Sequence, residues 1–205
     1  MFTYHGKVMI AAEKIKKRER DASLRDLWRT PQWLFVAIQR YIGVKFDVDV
    51  ACNKDNALLP NFIGVERDAL KCSWGEPGTV AFLNPPYSKI TPWIDAAIRE
   101  QARGVTTVML IPQSLDTQWY ERAAECANET VILSGGRVAF VEPDVELGLV
   151  EVNINPGGSM LLIFRGYCQE AGHTISKIPL AVMKKLGGYD PANVVRKKRP
   201  RKKAA

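Results

Sequence analysis

The run VTTVMLI, Val105–Ile111, is the strongest constraint on how this chain folds. Apart from two threonines it is apolar throughout, and a run of that length reads as a strand buried on both faces. Such a strand needs helices above and below its sheet. The strand-like segments KFDVDVAC (Lys45–Cys52), NFIGVE (Asn61–Glu66) and TVAFL (Thr79–Leu83) precede it, and ETVILS, GGRVAFVE and PGGSMLLIF follow. Helical stretches are interleaved with them. In TPQWLFVAIQRYIG, Thr30 suits an N-cap, Pro31 the first helical position and Gly43 the stop. TPWIDAAIREQARG repeats that punctuation and predicts a helix from about Pro92 to Arg103; DTQWYERAAECA and the region Ile175–Leu186 complete the helical set. The alternation predicts a three-layer α/β fold with a mostly parallel sheet. Ligands of such sheets bind beyond the carboxyl ends of strands, which puts Asp49 and the segment starting at Asn84 on one rim.

A hydrophobic content of 46% in 205 residues suffices for one buried core. The expected organisation is a charged helical lead-in over residues 1–27, a folded domain over 28–190 and a disordered basic tail over 191–205. No apolar run approaches the roughly 18 residues of a membrane span, so the chain is expected in the cytoplasm, in contact with no membrane. Cys52, Cys72, Cys126 and Cys168 are widely spaced and the only histidines are His5 and His173. That pattern predicts reduced, mostly buried thiols and no metal site, and argues against a His-dependent nucleophile. The formal charge is +7, and seven cations stand together in RKKRPRKK: Arg196, Lys197, Lys198, Arg199, Arg201, Lys202 and Lys203. Without them the chain is formally neutral. A solvated polybasic tail of this kind suits contact with a polyanion, nucleic acid above all.

After the strand TVAFL comes Asn84-Pro85-Pro86-Tyr87. Two prolines donate no backbone hydrogen bonds and fix φ, a stiff choice where Gly, Asp or Ser would turn the chain more simply. The stiffness suits one chemistry. An exocyclic amine on a nucleobase is a poor nucleophile because its lone pair is delocalised into the ring. Two fixed acceptors, the Asn84 side-chain oxygen and the Pro85 carbonyl, would draw that nitrogen toward tetrahedral geometry. Tyr87 offers a flat face for a base taken out of its stack, so Phe is expected to serve almost as well there. A rigid structural loop is the plainer alternative for the same four residues.

Asn-Pro-Pro-Tyr after an apolar strand resembles the catalytic motif of S-adenosylmethionine-dependent amino-methyltransferases. The order LWRTPQWLF, FDVDVACNKDNA, FLNPPYSKITPWIDAA, VMLIPQSLDTQWY, GGRVAF and GGSMLLIF is similar to that of the phage and prophage DNA N-6-adenine methyltransferases, the Dam-type family, over roughly Leu27 to Phe164. The resemblance implies a Rossmann-like methyltransferase fold, S-adenosylmethionine as cofactor, double-stranded DNA as partner and no metal. It gives Asn84, Pro85, Pro86 and Tyr87 the activation and stacking of the target adenine. It puts Thr30 and Pro31 near the methionine end of the cofactor and Asp49 beside it, with Glu66 and Asp68 as contacts to its ribose and adenine. Arg137 and the seven tail cations are the candidate DNA contacts. The chain departs from the usual pattern at DVACNKDNA, which stands where a Gly-rich loop is expected. Two other readings remain at this point: a methyltransferase acting on a protein glutamine amide, and a non-catalytic DNA-binding protein on the same fold. For the adenine reading, the role would be phage-encoded protection of DNA in a bacterial host, with GATC as one site that the family uses.

Overall fold

The computed structural model describes residue 26 and residues 28–144, 148–152, 157–169 and 172–195. Its strands are β1 (Val48–Val50), β2 (Phe62–Ile63), β3 (Val80–Leu83), β4 (Thr106–Pro112), β5 (Glu129–Ser134), β6 (Phe140–Asp144), β7 (Gly148–Val152), β8 (Ser159–Phe164) and β9 (Thr174–Pro179). Its helices are α1 (Gln32–Ile42), α2 (Thr91–Ala102), α3 (Gln118–Ala124) and α4 (Leu180–Gly187). Seven strands make one sheet in the order β2–β1–β3–β4–β8–β5–β9, and β6 and β7 form a separate hairpin. Strand β8 runs against both of its neighbours and every other pair in the sheet is parallel. The expected mostly parallel α/β sheet is therefore present.

The period-two alternation of strand side chains divides the core into two layers. Phe82, Val108, Leu110, Leu161 and Ile163 face α1 and α4, where Leu34, Ile38 and Met183 meet them. Ala81, Leu83, Met109, Ile111, Leu162 and Phe164 face the opposite way, toward Ile94 and Ala97 of α2 and Tyr120 and Ala123 of α3. The two layers are why the middle of β4 is fully buried. No α-helix lies between β1 and β3: residues 51–79 hold only β2 and a 3-10 turn at Val65–Arg67. That part of the rim lacks a helical cover.

Three local expectations change. Helix α1 starts one residue late, because Pro31 is extended (ψ 141°) and its carbonyl accepts the Leu34 and Phe35 N–H groups. Thr30 is consequently not the cap; it is buried in the segment before the helix. The region Ile175–Leu186 is half strand: Thr174–Pro179 pairs with β5 from Glu129↔Thr174 to Ser134↔Pro179. The β-branched Thr174, Ile175 and Ile178 fit an edge strand. Pro179 ends it and caps α4. The third change is β7, the partner of β6, which its glycine and glutamate had hidden. Cys52, Cys72 and Cys126 are half-buried thiols, and Cys168 is exposed rather than buried.

Candidate active site

The register Val50↔Leu83 makes β1 and β3 end level, so Ala51 and Asn84 leave the sheet side by side. Pro85 is buried, while Asn84, Pro86 and Tyr87 are half-buried. The Tyr87 hydroxyl donates to the Asn84 side-chain oxygen at 3.0 Å and lies 3.4 Å from the Leu110 carbonyl. Burial raises the phenol above its ordinary range, so at neutral pH it stays a donor. The Tyr87 ring meets Phe140 edge-on at 6.1 Å, and Trp28 stacks on Phe140 at the same separation. Trp28, Tyr87 and Phe140, with Asn84, Pro85 and Asp26, line a narrow cavity against the Asn84 amide. The hydroxyl's grip on Asn84 adds a role for Tyr87 beyond the ring face read from sequence.

Asp49 lies inside β1 and is 3% exposed. Its carboxylate accepts the Leu58 N–H at 2.7 Å. Burial nevertheless pushes its pKa up to about 6. The turn between these two residues is built without glycine. Ala51 takes the left-handed conformation (φ 64°). The Asn56 side chain then accepts the Asn53 N–H at 2.6 Å, and the Asn53 side chain accepts that of Asp55 at 2.9 Å. These Asn and Asp turns replace the Gly-rich loop. Cys52, beside Asp49, has its thiol pushed up to about 12 by burial and by that carboxylate, which leaves it unreactive.

Beyond the turn opens a cleft of about 420 Å³, walled by Ala51, Cys52, Ile63, Val65, Asp68 and Trp93 among others. Asp68 is also left-handed (φ 46°) and is ion-paired with Lys71 at 2.8 Å, which lowers its pKa. A smaller cavity lined by Thr30, Asp49, Asn84 and Pro86 adjoins the cleft. Thus Thr30, Asp49, Asp68 and the four residues Asn84–Tyr87 come together on one rim. Pro31 sits behind them as the α1 cap. Glu66 is exposed at the lip, its carboxylate folded over Gly64. Arg137 is exposed in the turn after β5, on the same rim. Arg196, Lys197, Lys198, Arg199, Arg201, Lys202 and Lys203 lie outside the described residues; the carbonyl of Val195, just before them, accepts the Glu151 N–H of β7 at 2.9 Å. Among the described residues no group of three His, Cys, Asp or Glu is arranged to hold a metal.

Sequence reasoning gave no role to Asp26, Trp28, Arg29, Trp93 or Phe140. Trp28 and Arg29 stood inside LWRTPQWLF and Phe140 inside GGRVAF, so the signal was their company in those segments. Arg29 exchanges two backbone hydrogen bonds with Val141, and its guanidinium donates to the Asp55 carbonyl at 2.8 Å.

The profile of the family described as DNA N-6-adenine-methyltransferase (Dam) matches residues 17–188. A DNA N-6-adenine-methyltransferase of Haemophilus phage HP1 (strain HP1c1) is 30% identical over 164 residues, which cover 80% of this chain and 92% of the phage protein. A DNA N-6-adenine-methyltransferase of Escherichia phage T1 is 28% identical over 170 residues, covering 76% of this chain and 69% of that one. The match to the profile spans the sheet, the cleft and the Asn-Pro-Pro-Tyr loop together, and the chain belongs to the DNA N-6-adenine-methyltransferase (Dam) family.

Proposed function

We propose that this protein transfers a methyl group from S-adenosylmethionine to the exocyclic amine of adenine in double-stranded DNA. The observation that carries the reading is the Asn84 amide, which lines both the aromatic cavity and the small cavity that adjoins the larger cleft. The cleft suits the cofactor in size and chemistry. Its volume lies in the usual range for small-molecule sites. Ile63, Val65 and Trp93 offer apolar wall for an adenine ring, Asp68 an acceptor for ribose hydroxyls and Arg29 a cation for a carboxylate. When bound, S-adenosylmethionine supplies a methyl group made electrophilic by its sulfonium.

The residues of this chain prepare the amine. The Asn84 oxygen keeps a lone pair free after accepting from Tyr87, because an amide oxygen has two. That lone pair and the Pro85 carbonyl accept the two amine hydrogens and favour the tetrahedral nitrogen over the planar one. Trp28, Tyr87 and Phe140 line the cavity beside the amide, about 10 Å³ in this structure, which must widen to receive the flipped base. Asn84 is no base at neutral pH, so the proton passes to water after or during the attack, once the nitrogen has become cationic.

Methylation-sensitive sequencing of plasmid DNA from cells expressing the protein tests this reading, and GATC is the first site to inspect. Calorimetry with S-adenosylhomocysteine in EDTA tests the cofactor. Unmodified adenine together with no heat from a folded sample would sink the proposal. The biological role we propose is protection of phage DNA from host restriction; it predicts lower cleavage of methylated DNA by enzymes blocked at the modified site.

Deleting residues 196–205 should weaken DNA binding and leave the methylated sequence unchanged. Seven cations within eight residues neutralise phosphates, and contacts to phosphates carry no base information. At about 0.9 per phosphate engaged, partial engagement should remove about two to four units from the slope of log affinity against log salt. An unchanged slope would make the tail a bystander, and a new site preference would mean that it reads sequence.

A further inference from the structure

We propose that Asp26 is a positioning residue for the Asn84–Tyr87 loop and acts through Ser88. Pro85 and Pro86 have no N–H, so the loop must be held from outside at its far end. Asp26 does this at two points. One carboxylate oxygen accepts the Ser88 N–H at 3.2 Å and the other the Ser88 hydroxyl at 2.6 Å. Both are charge-assisted and span 62 positions of sequence.

The anchor is itself anchored. Three residues on, Arg29 N–H donates to Val141 O at 2.8 Å, Val141 N–H returns the bond at 3.0 Å, and the Arg29 side chain holds Asp55 O. Asp26 and Arg29 between them therefore hold three places: the Asn-Pro-Pro-Tyr loop, the turn after β1 and the β6–β7 hairpin. Asp26 also lines the aromatic cavity, the small cavity and the large cleft. Its grip thus sits where the two substrate cavities adjoin, and a loop displaced by an ångström there costs about a hundredfold in rate when it carries the acceptors. The inference rests on the adenine-methylation reading above.

The experiment compares wild type with Asp26→Ala, Asp26→Asn, Ser88→Ala and the Asp26→Ala/Ser88→Ala double variant in steady-state methylation of duplex DNA. Asp26→Ala should lower kcat about thirtyfold and leave KM for DNA within about threefold. Asn keeps an acceptor for the Ser88 N–H and presents its amide to the Ser88 hydroxyl, so Asp26→Asn should recover to within about fivefold of wild type. The double variant should be no slower than Asp26→Ala, because both changes break one contact. Wild-type kcat in Asp26→Ala, equal loss in Asp26→Asn, or additive losses would each overturn the proposal. Should Asp26→Ala fail to fold, Ser88→Ala decides, and must lower kcat at constant KM. Hydrogen exchange across residues 84–90, expected to be faster in Ser88→Ala than in wild type, reads the grip without substrate. A wild-type protein that leaves adenine unmethylated fails the functional reading instead, and equal exchange fails this one.

Discussion

Asn84→Ala is expected to lower methyl transfer by at least about a hundredfold while S-adenosylhomocysteine binds with nearly unchanged affinity. The amide oxygen matters most when the amine nitrogen becomes tetrahedral, so its loss falls on the chemical step. Removing one preorganised acceptor of this kind costs on the order of 3 kcal/mol. The geometry adds a companion variant. Tyr87→Phe keeps the ring and its edge contact with Phe140 but removes the hydroxyl that fixes the Asn84 oxygen. One lost hydrogen bond of about 1 kcal/mol gives a five- to tenfold slower turnover, roughly, with the base still bound. Tyr87→Ala loses stacking as well. Single-turnover rates with saturating cofactor separate the three; wild-type turnover in Asn84→Ala would end the mechanism proposed here.

Asp49→Asn is expected to stabilise the protein at neutral pH and to weaken its hold on the cofactor. Burial raises the folded pKa to about 6, above the unfolded value near 4. Between those values the native state binds more protons than the unfolded chain. Asp49's contribution is therefore most favourable below pH 4, declines as pH rises through 4 to 6, and is flat above. Two pH units correspond to about 3 kcal/mol, an order-of-magnitude ceiling, since Asn brings two donors of its own into a buried place. Asn can still accept the Leu58 N–H. A gain of about 1 to 3 kcal/mol above pH 6, shrinking toward pH 4, is the expected difference between variant and wild type in denaturant titrations. A cationic cofactor that prefers the ionised carboxylate should bind wild type about tenfold more weakly per pH unit below 6, and bind Asp49→Asn without that slope. Parallel pH profiles for the two proteins would show that the carboxylate takes part in neither effect.

The parts of this architecture that could be read from sequence are those whose cause is local. The buried run at Val105–Ile111 and the stiff Asn-Pro-Pro-Tyr segment carry their meaning in consecutive residues, and the register of β1 against β3 then places Asp49 and Asn84 on one rim. Asp26 and Phe140 were illegible for the opposite reason: each reaches the loop from more than 50 positions away. Thr174–Pro179 shows a third situation. Ile175 is 58% exposed and Ile178 buried, a spacing that suits a helix face as well as an edge strand, and only pairing with β5 decides. The turn after β1 looked deficient because a glycine was expected, whereas Ala51 and the Asn53–Asn56 side chains build it by other means.

Strand β8 is synthesised after β5 yet lies between β4 and β5, antiparallel to both. While the chain emerges from the ribosome, β2, β1, β3 and β4 can pair as soon as they are made, but the far side of β4 stays open. Strand β5 has no neighbour in that half until residues 159–164 arrive. Closure is therefore a late, long-range event, the kind that slows folding. Until then Met109 and Ile111 sit on an unprotected edge, an invitation to pair with another chain. Chains interrupted before Ser159 hold every residue of the Asn-Pro-Pro-Tyr loop and still lack the strand that joins the sheet.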